Sequence, residues 1–412
     1  MRAAAPNRPD RGAPGPESMG DATLVHYVDQ VEGFEGFLVI DGRRHSLAAG
    51  GLRLQQGLGA ASLRQLAEAM SRKQRLLGLA VDGAKAGIDY DPRNPGKVAA
   101  IGRFLGFLRP YLLDRVSLGP DMGSTWVEIE SAARAVGLFS VKSAVGRAQD
   151  LAEADFRRRL TLLDIDVRGL SLAQRRAGHA VAHASLAALP DAARSVRIGI
   201  QGFGTLGRAT ALSLVEMGLA PIAVADEASC LVSSDGLDVA TMLASPQNVP
   251  IGDQPPLGAR VLPREQLLAL PLDLLVLAAH EDAISMYDAA RLHVGAIVVG
   301  ANLGLAPHVE QALYHRGLVV VPDFVGGCGG SASMDALFGP VNCPGADDVL
   351  QHLQARMQAL VREVLELSRR QEVSPREAAL ALSQDDVQPG RPYGRWDGAS
   401  QPELATSPHV AR

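Results

Sequence analysis

A chain of 412 residues with 47% hydrophobic and 21% charged residues has a globular composition and enough length for two domains with substantial cores. Its net charge of −5 and pI near 6.1 supply no electrostatic reason to bind nucleic acid or an anionic membrane. No run approaches the roughly 20 apolar residues of a membrane helix, and the odd count of three cysteines (Cys230, Cys328, Cys343) without a CxxC pair argues against a disulfide framework.

Residues 1–20 are rich in Pro, Gly and Arg, contain no apolar h-region, and are expected to be a disordered tail. Phe37-Leu38-Val39-Ile40 reads as a strand closed by the Asp41-Gly42 turn signal, and as an edge strand it could extend a sheet between subunits. The spacing of Leu63, Leu66, Ala67, Met70, Gln74 and Leu77 predicts an amphipathic helix over 62–78. Lys73 falls at the edge of its apolar face and points inward, either to a ligand or as a snorkelling side chain. Next comes Asp82-Gly83-Ala84-Lys85, followed by Ala86-Gly87. It reads as a small-residue turn in which Lys85 is poorly solvated, and a desolvated lysine loses pKa and becomes a usable base.

From about residue 195 short apolar runs alternate with helical stretches. Val196–Ile200, Ile222–Ala225, Leu274–Ala278, Ile297–Val299 and Leu318–Val321 predict a parallel sheet buried on both faces. Gly202-Phe203-Gly204-Thr205-Leu206-Gly207 follows the first of these strands directly and opens a helix, the context in which GxGxxG binds a dinucleotide. Asp226 ends the next strand, 19 residues beyond Gly207, where a carboxylate accepts the ribose hydroxyls and repels a 2′-phosphate; this favours NAD. Ala278 and Asn302 close later strands at the same end of the sheet. Residues 345–382 read as a long closing helix and a short one, and the stretch from 389 as a second tail. His179 and His183 have ligand-like spacing but no third ligand, so no metal is expected.

With these pieces in order, the chain resembles the glutamate/leucine/phenylalanine/valine dehydrogenase superfamily from about Phe34 to Leu382. Gly50-Gly51 with Leu52-Arg53, Lys73 at 22 residues beyond Gly51, Lys85 at 12 beyond Lys73, and Asp121 at 36 beyond Lys85 all fall in family order. So do Gly119-Pro120-Asp121, Gln201–Gly207, Asp226, Gly300-Ala301-Asn302 and Pro322-Asp323. The resemblance implies an α/β fold of two domains separated by a cleft: substrate binding and oligomerisation over 21–165, and a Rossmann NAD-binding domain over 166–345. Helices over 346–388 would pack back toward the first domain, and 389–412 would be flexible. It implies a homo-oligomer that converts an L-amino acid to a 2-oxo acid, ammonia and NADH, reversibly; the cysteine usage makes the cytoplasm the expected compartment. Lys73 and the Gly50-Gly51 pair would hold the substrate, Lys85 would act as base, and Asp121 would relay protons.

Several positions depart from the family pattern. Glutamate-specific members hold the side-chain carboxylate at positions that are Ala49 and Met334 here, which implies an apolar or unusual side chain, with Met334 in the substrate pocket and Ser333 one residue away. A glutamate dehydrogenase with a non-standard pocket is the alternative. Asp82 would place a new charge beside the catalytic cluster, while Ala177 and Gly327 replace residues that normally contact the nicotinamide. Together these departures raise a third reading, a catalytically impaired homologue with a regulatory or structural role.

Overall fold

Small side chains let two strands and a helix of the N-terminal domain approach closely, and that approach places the site. The computed structural model describes residues 17–19, 22–190, 196–247, 249–340, 343–384 and 387–394. Strands β1 (Glu17–Met19), β2 (Ala22–Val28), β3 (Glu35–Asp41), β4 (Leu47–Gln55), β5 (Val81–Asp89) and β6 (Val116–Pro120) form one sheet in the order β1-β2-β3-β5-β4-β6. The β4–β5 and β4–β6 pairs are parallel and the others antiparallel. Helix α1 (Ala60–Leu76) packs on β5, burying Leu63, Leu66 and Ala67 as its periodicity requires. Helices α2 (Lys97–Asp114), α3 (Trp126–Ala135), α4 (Ser143–Ala148) and α5 (Glu153–Thr161) complete the domain.

Two sequence expectations change here. The segment carrying Lys85 is not a turn. It is the middle of β5, hydrogen-bonded between β3 and β4, and its small residues serve sheet–helix packing: a Cβ on Gly83 would stand 2.2 Å from the Ala67 carbonyl oxygen of α1. The strand containing Phe37–Ile40 is likewise internal, flanked by β2 and β5, so it offers no free edge to a second subunit.

The short hairpin β7 (Asp166–Val167) and β8 (Leu170–Ser171) leads into α6 (Leu172–Ala188), whose start is fixed by a reciprocal Ser171–Gln174 capping box. The Rossmann domain follows as β9 (Ile198–Gln201), α7 (Thr205–Glu216), β10 (Ala223–Ala225), β11 (Ser229–Val232), α8 (Val239–Ala244), β12 (Arg260–Pro263), β13 (Leu272–Leu277), α9 (Met286–Ala289), β14 (Val294–Val299), α10 (Pro307–His315) and β15 (Val319–Val321). The strand order is β12-β11-β10-β9-β13-β14-β15, with β10 through β15 across β9 running parallel. All five strands expected from sequence are present; β9, β10 and β15 start one or two residues later than expected, and β13 and β14 two or three residues earlier. The antiparallel additions β11 and β12 were not expected, because the first is only four residues long and the second is largely exposed. Strand order reverses at the β9–β13 junction, the place where open α/β sheets bind ligands at their carboxyl ends.

Helices α11 (Asp323–Gly326), α12 (Gly329–Phe338), α13 (Ala346–Gln371) and α14 (Pro375–Leu382) close the chain. Helix α13 packs chiefly on α6 and α12, and its Arg356 reaches back to the Leu77 carbonyl at the end of α1 (2.6 Å). The expected tails lie mostly outside the described residues, but their inner ends are ordered. Residues 17–19 pair with β2, and Tyr393 is 1% exposed, with its carbonyl accepting from the Gln149 amide at 2.6 Å. Tyr393 is therefore a core residue from beyond position 389. Replacing it by Ala should cost about 3 kcal/mol, as for other large aromatic truncations, read as a lower urea midpoint with unchanged m-value; an unshifted midpoint would return this segment to the tail.

Candidate active site

Pleating decides which side chains of β5 can act together. Successive residues alternate between faces, so Lys85 and Asp82, three apart, point oppositely. Asp82 accepts from Arg115 at 2.7 Å and from the His45 backbone N–H at 3.2 Å, at the far end of the strand. The expectation of a new carboxylate beside the catalytic cluster is thus corrected: Asp82 fastens the start of β5 to the end of α2. Its replacement by Asn should lower stability by about 1–3 kcal/mol through the weakened buried contact while leaving turnover per folded molecule within about threefold. Steady-state rates and a denaturation curve on the same preparation check both parts.

Lys85 is 2% exposed and its Nζ lies 2.7 Å from the Asp121 carboxylate at the end of β6. Asp121 also binds Arg53 Nε at 3.0 Å, and Arg53 Nη1 continues to Glu281 of the Rossmann domain at 2.5 Å. The glycine pair of β4 makes this cluster possible. A Cβ on Gly51 would sit 2.9 Å from Asp121 Cβ and 3.3 Å from Lys85 Nζ, and one on Gly50 would overlap the Ala84 carbonyl. Burial lowers the Lys85 pKa from its usual 10.5; Asp121 opposes the shift, while the charges of Arg53 and Lys73 reinforce it. For Asp121, burial alone would raise the pKa, but Lys85 and Arg53 outweigh it and hold the carboxyl well below the usual range.

Lys73, 3% exposed on α1, points into the same space, as its place on the helix predicts. Its ammonium donates to Asn302 Oδ1 (2.7 Å) and to the Gly327 carbonyl (3.0 Å), which leaves one of three N–H bonds for a ligand. Asn302 in turn donates to Asp121 Oδ1 at 3.2 Å, and Gln74 donates to Ser331 Oγ at 3.2 Å. Asn302 therefore belongs to the amine-and-carboxylate cluster, more than its strand-end position alone suggested. These contacts, with Arg53–Glu281, bridge the two domains around a cleft of about 650 Å³.

The Rossmann side of the cleft is formed by Gly204, Thr205, Leu206, Ala278, Ala279 and Asn302. The N-terminus of α7 begins at Thr205, so its first N–H groups, which helix geometry leaves without intrahelical partners, are available at this wall. Gly202 has φ +100°, and a Cβ on Gly207 would sit 1.8 Å from the Gly202 carbonyl, so both glycines shape the turn. A dinucleotide's pyrophosphate fits this turn. Phe203 is buried beneath it with Arg208 over its ring, and does not line the cleft. Neither does Asp226, whose carboxylate accepts from the backbone N–H groups of Ala228 (2.9 Å), Ser229 (2.8 Å) and Ile251 (2.7 Å).

Ala49, Met334 and Ala177 all line the cleft, whereas Ser333 turns away to Arg176 and the Gly330 carbonyl. His179 and His183 are buried on α6 with rings edge to face at 4.5 Å; burial pushes their pKa values down to about 3 and about 4. Sequence reasoning assigned no role to Arg53, Glu281, Lys142 or Arg176. One signal was available. Only four of the 40 Lys and Arg residues are lysines, and all four (Lys73, Lys85, Lys97, Lys142) line this cleft.

A cleft between two domains, with a buried amine–carboxylate pair facing a glycine-rich strand-to-helix turn, is the arrangement of the amino-acid dehydrogenase class. The model of the Glutamate/Leucine/Phenylalanine/Valine dehydrogenase family matches residues 171–389, and that of the Glu/Leu/Phe/Val dehydrogenase dimerisation domain matches 22–133. The chain belongs to this family and is an oxidoreductase acting on CH–NH2 donors. It is 26% identical to a glutamate dehydrogenase of Thermotoga maritima over 376 residues, 87% of this chain and 85% of the relative. An NADP-specific glutamate dehydrogenase of Saccharolobus shibatae is 37% identical over 134 residues, 32% of this chain and 31% of that protein. Among solved structures, the hetero-hexameric glutamate dehydrogenase of Thermus thermophilus in a Leu-bound form superposes with TM-score 0.67 at 26% identity, covering 88% and 86% of the two chains. L-tryptophan dehydrogenase of Nostoc punctiforme shares the fold at TM-score 0.55 and 16% identity, covering 90% and 96%.

Proposed function

We propose that the chain catalyses the reversible, NAD-dependent oxidative deamination of an L-amino acid to a 2-oxo acid and ammonia, with Lys85 as base. The observation that carries this reading is the fully buried Lys85 Nζ, 2.7 Å from Asp121 and depressed in pKa by burial among cations. The free N–H of Lys73 would take the substrate α-carboxylate, with the Gly50-Gly51 backbone alongside. Neutral Lys85 would remove a proton from the water that attacks the imine carbon, and Asp121 would carry protons to and from the amino nitrogen. A nicotinamide held on the wall of the Gly202–Gly207 turn would supply the acceptor for the hydride from Cα. Asn302 and Arg53 tie the two walls together around this point and exclude water while the cleft is shut. With Asp82 outside the site, one of the three departures suggesting impaired catalysis loses its force.

Because the neutral amine is the active form, kcat/KM for deamination should rise with pH through an inflection below 10.5. Lys85→Ala should lower kcat by about 10²–10⁴-fold, as loss of a general base does; NADH formation from a panel of L-amino acids, across pH, measures both. A Lys85→Ala enzyme as fast as the parent contradicts the assignment.

NAD is the proposed cofactor because the carboxylate of Asp226 ends β10, where it would oppose a 2′-phosphate; its three backbone hydrogen bonds hold it in place. The expected result is a kcat/KM for NAD at least about tenfold above that for NADP, with Asp226→Ser narrowing the ratio. The reverse preference would reassign the cofactor. A homo-oligomer in the cytoplasm is proposed with it, supported by the match of residues 22–133 to a dimerisation domain.

A further inference from the structure

Among the described residues, six other than glycine have a positive φ, and two of them directly follow residues that reach across the cleft. Asp282 (φ +48°) comes after Glu281, which meets Arg53, and Leu303 (φ +53°) comes after Asn302, which meets Lys73 and Asp121. The two loops are joined, since the Asp282 N–H donates to the Leu303 carbonyl at 3.1 Å and the Ala283 N–H to the Gly304 carbonyl at 2.9 Å. Aspartate enters this left-handed region readily, whereas in leucine the Cβ crowds the following carbonyl oxygen. A leucine persists there only where its surroundings hold it.

Two sets of contacts do so. The Leu303 N–H donates to Asp323 Oδ2 at 2.9 Å, and Asp323, 2% exposed at the start of α11, accepts from Arg376 Nη2 on its other oxygen at 3.4 Å. Arg376 of α14 is fixed in turn by both oxygens of the buried Glu310 of α10, at 2.6 and 2.8 Å. The Leu303 side chain leaves its own domain and packs on an apolar cluster of the first, which includes Phe37 and Val39 of β3 with Leu63 and Leu66 of α1. Helix α1 also carries Lys73. A glycine at 303 would adopt the same backbone without strain but would supply no side chain to seat on that cluster.

We propose that Asp323 is a positioning residue for the reaction: by holding Leu303 left-handed it aims the Asn302 amide at Lys73 and Asp121, while the leucine side chain docks the loop on the first domain. Asn302 uses both ends of that amide, accepting from Lys73 Nζ at 2.7 Å and donating to Asp121 at 3.2 Å, so a turn of the chain just after it breaks both contacts. The assignment rests on the amino-acid dehydrogenase reading above for the step that Asn302 serves, but the geometry itself can be read without turnover.

The test compares Asp323→Ala, Leu303→Gly and the double variant with wild type, all full-length. Two quantities are read: kcat/KM on the L-amino acid that wild type oxidises fastest, and the ε-13C-lysine signal of Lys73, assigned with Lys73→Arg. Asp323→Ala should lower kcat/KM by at least roughly tenfold, as misplacement of a site group does, and should shift the Lys73 signal as Asn302 leaves it. Glycine at 303 needs no support for its backbone. The double variant should therefore regain the Lys73 signal of Leu303→Gly and come within about threefold of its kcat/KM. A loss due only to a disturbed Arg376 would not be restored by glycine.

Either quantity unchanged in Asp323→Ala, or a loss that the double variant keeps, overturns the proposal and leaves the dehydrogenase reading intact. If wild type oxidises no amino acid, that reading fails and the Lys73 signal decides this one alone: shifted in Asp323→Ala and restored in the double variant supports it, and any other pattern rejects it. Should Asp323→Ala fail to fold, Leu303→Val decides. Its branched side chain resists a positive φ while Asp323 and Arg376 stay paired, so a shifted Lys73 signal supports the proposal and an unchanged one rejects it.

Discussion

Everything at the centre of this molecule depends on one buried carboxylate serving two cations. Asp121 contacts Lys85 and Arg53 together, and Lys73 stands close enough to add to the field on Lys85. Desolvation and neighbouring positive charge push the lysine toward its neutral form, while the single carboxylate pulls it back. The balance leaves an amine with a lowered pKa in a dry site. Glu281 joins from the other domain through Arg53, so the charge balance of the cluster depends on the two domains being together.

The fold supplies that geometry by economy of side chains. Gly50 and Gly51 remove atoms where β4 would otherwise collide with Ala84, Asp121 and Lys85. Gly83 does the same between β5 and α1, which sets the height at which Lys73 enters. On the opposite wall, the Gly202–Gly207 turn and the start of α7 face the same volume, since β9 and β13 meet where the strand order reverses. The two walls of the cleft are thus built on strands of two different sheets.

Much of this was legible in the sequence, and what was not has physical reasons. Helical spacing turned Lys73 inward, and the strand–GxGxxG–helix order marked the turn and helix start that face the cleft. Segment 82–85 was misread because glycine and alanine carry no strand signature; only its partners β3 and β4, distant in sequence, make it a strand. Once it is a strand, period two separates Asp82 from Lys85, which local sequence proximity could not reveal. Tyr393 sat in polar, Pro- and Gly-rich surroundings, and its burial depends on Gln149, 244 positions away. Lys142 and Arg176 reach the cleft from α4 and α6, far apart in sequence, and their meeting there is a property of the folded cavity.

The central claim is that burial among cations lowers the pKa of Lys85 and so brings its basic form within reach. With only four lysines in the chain, ε-13C-lysine labelling gives a spectrum in which Lys85→Arg assigns its signal directly. The account predicts that this signal titrates below 10.5, and that Asp121→Asn moves it lower still by removing the opposing charge. A Lys85 titrating at or above 10.5 in the folded protein, or unmoved by Asp121→Asn, would contradict it.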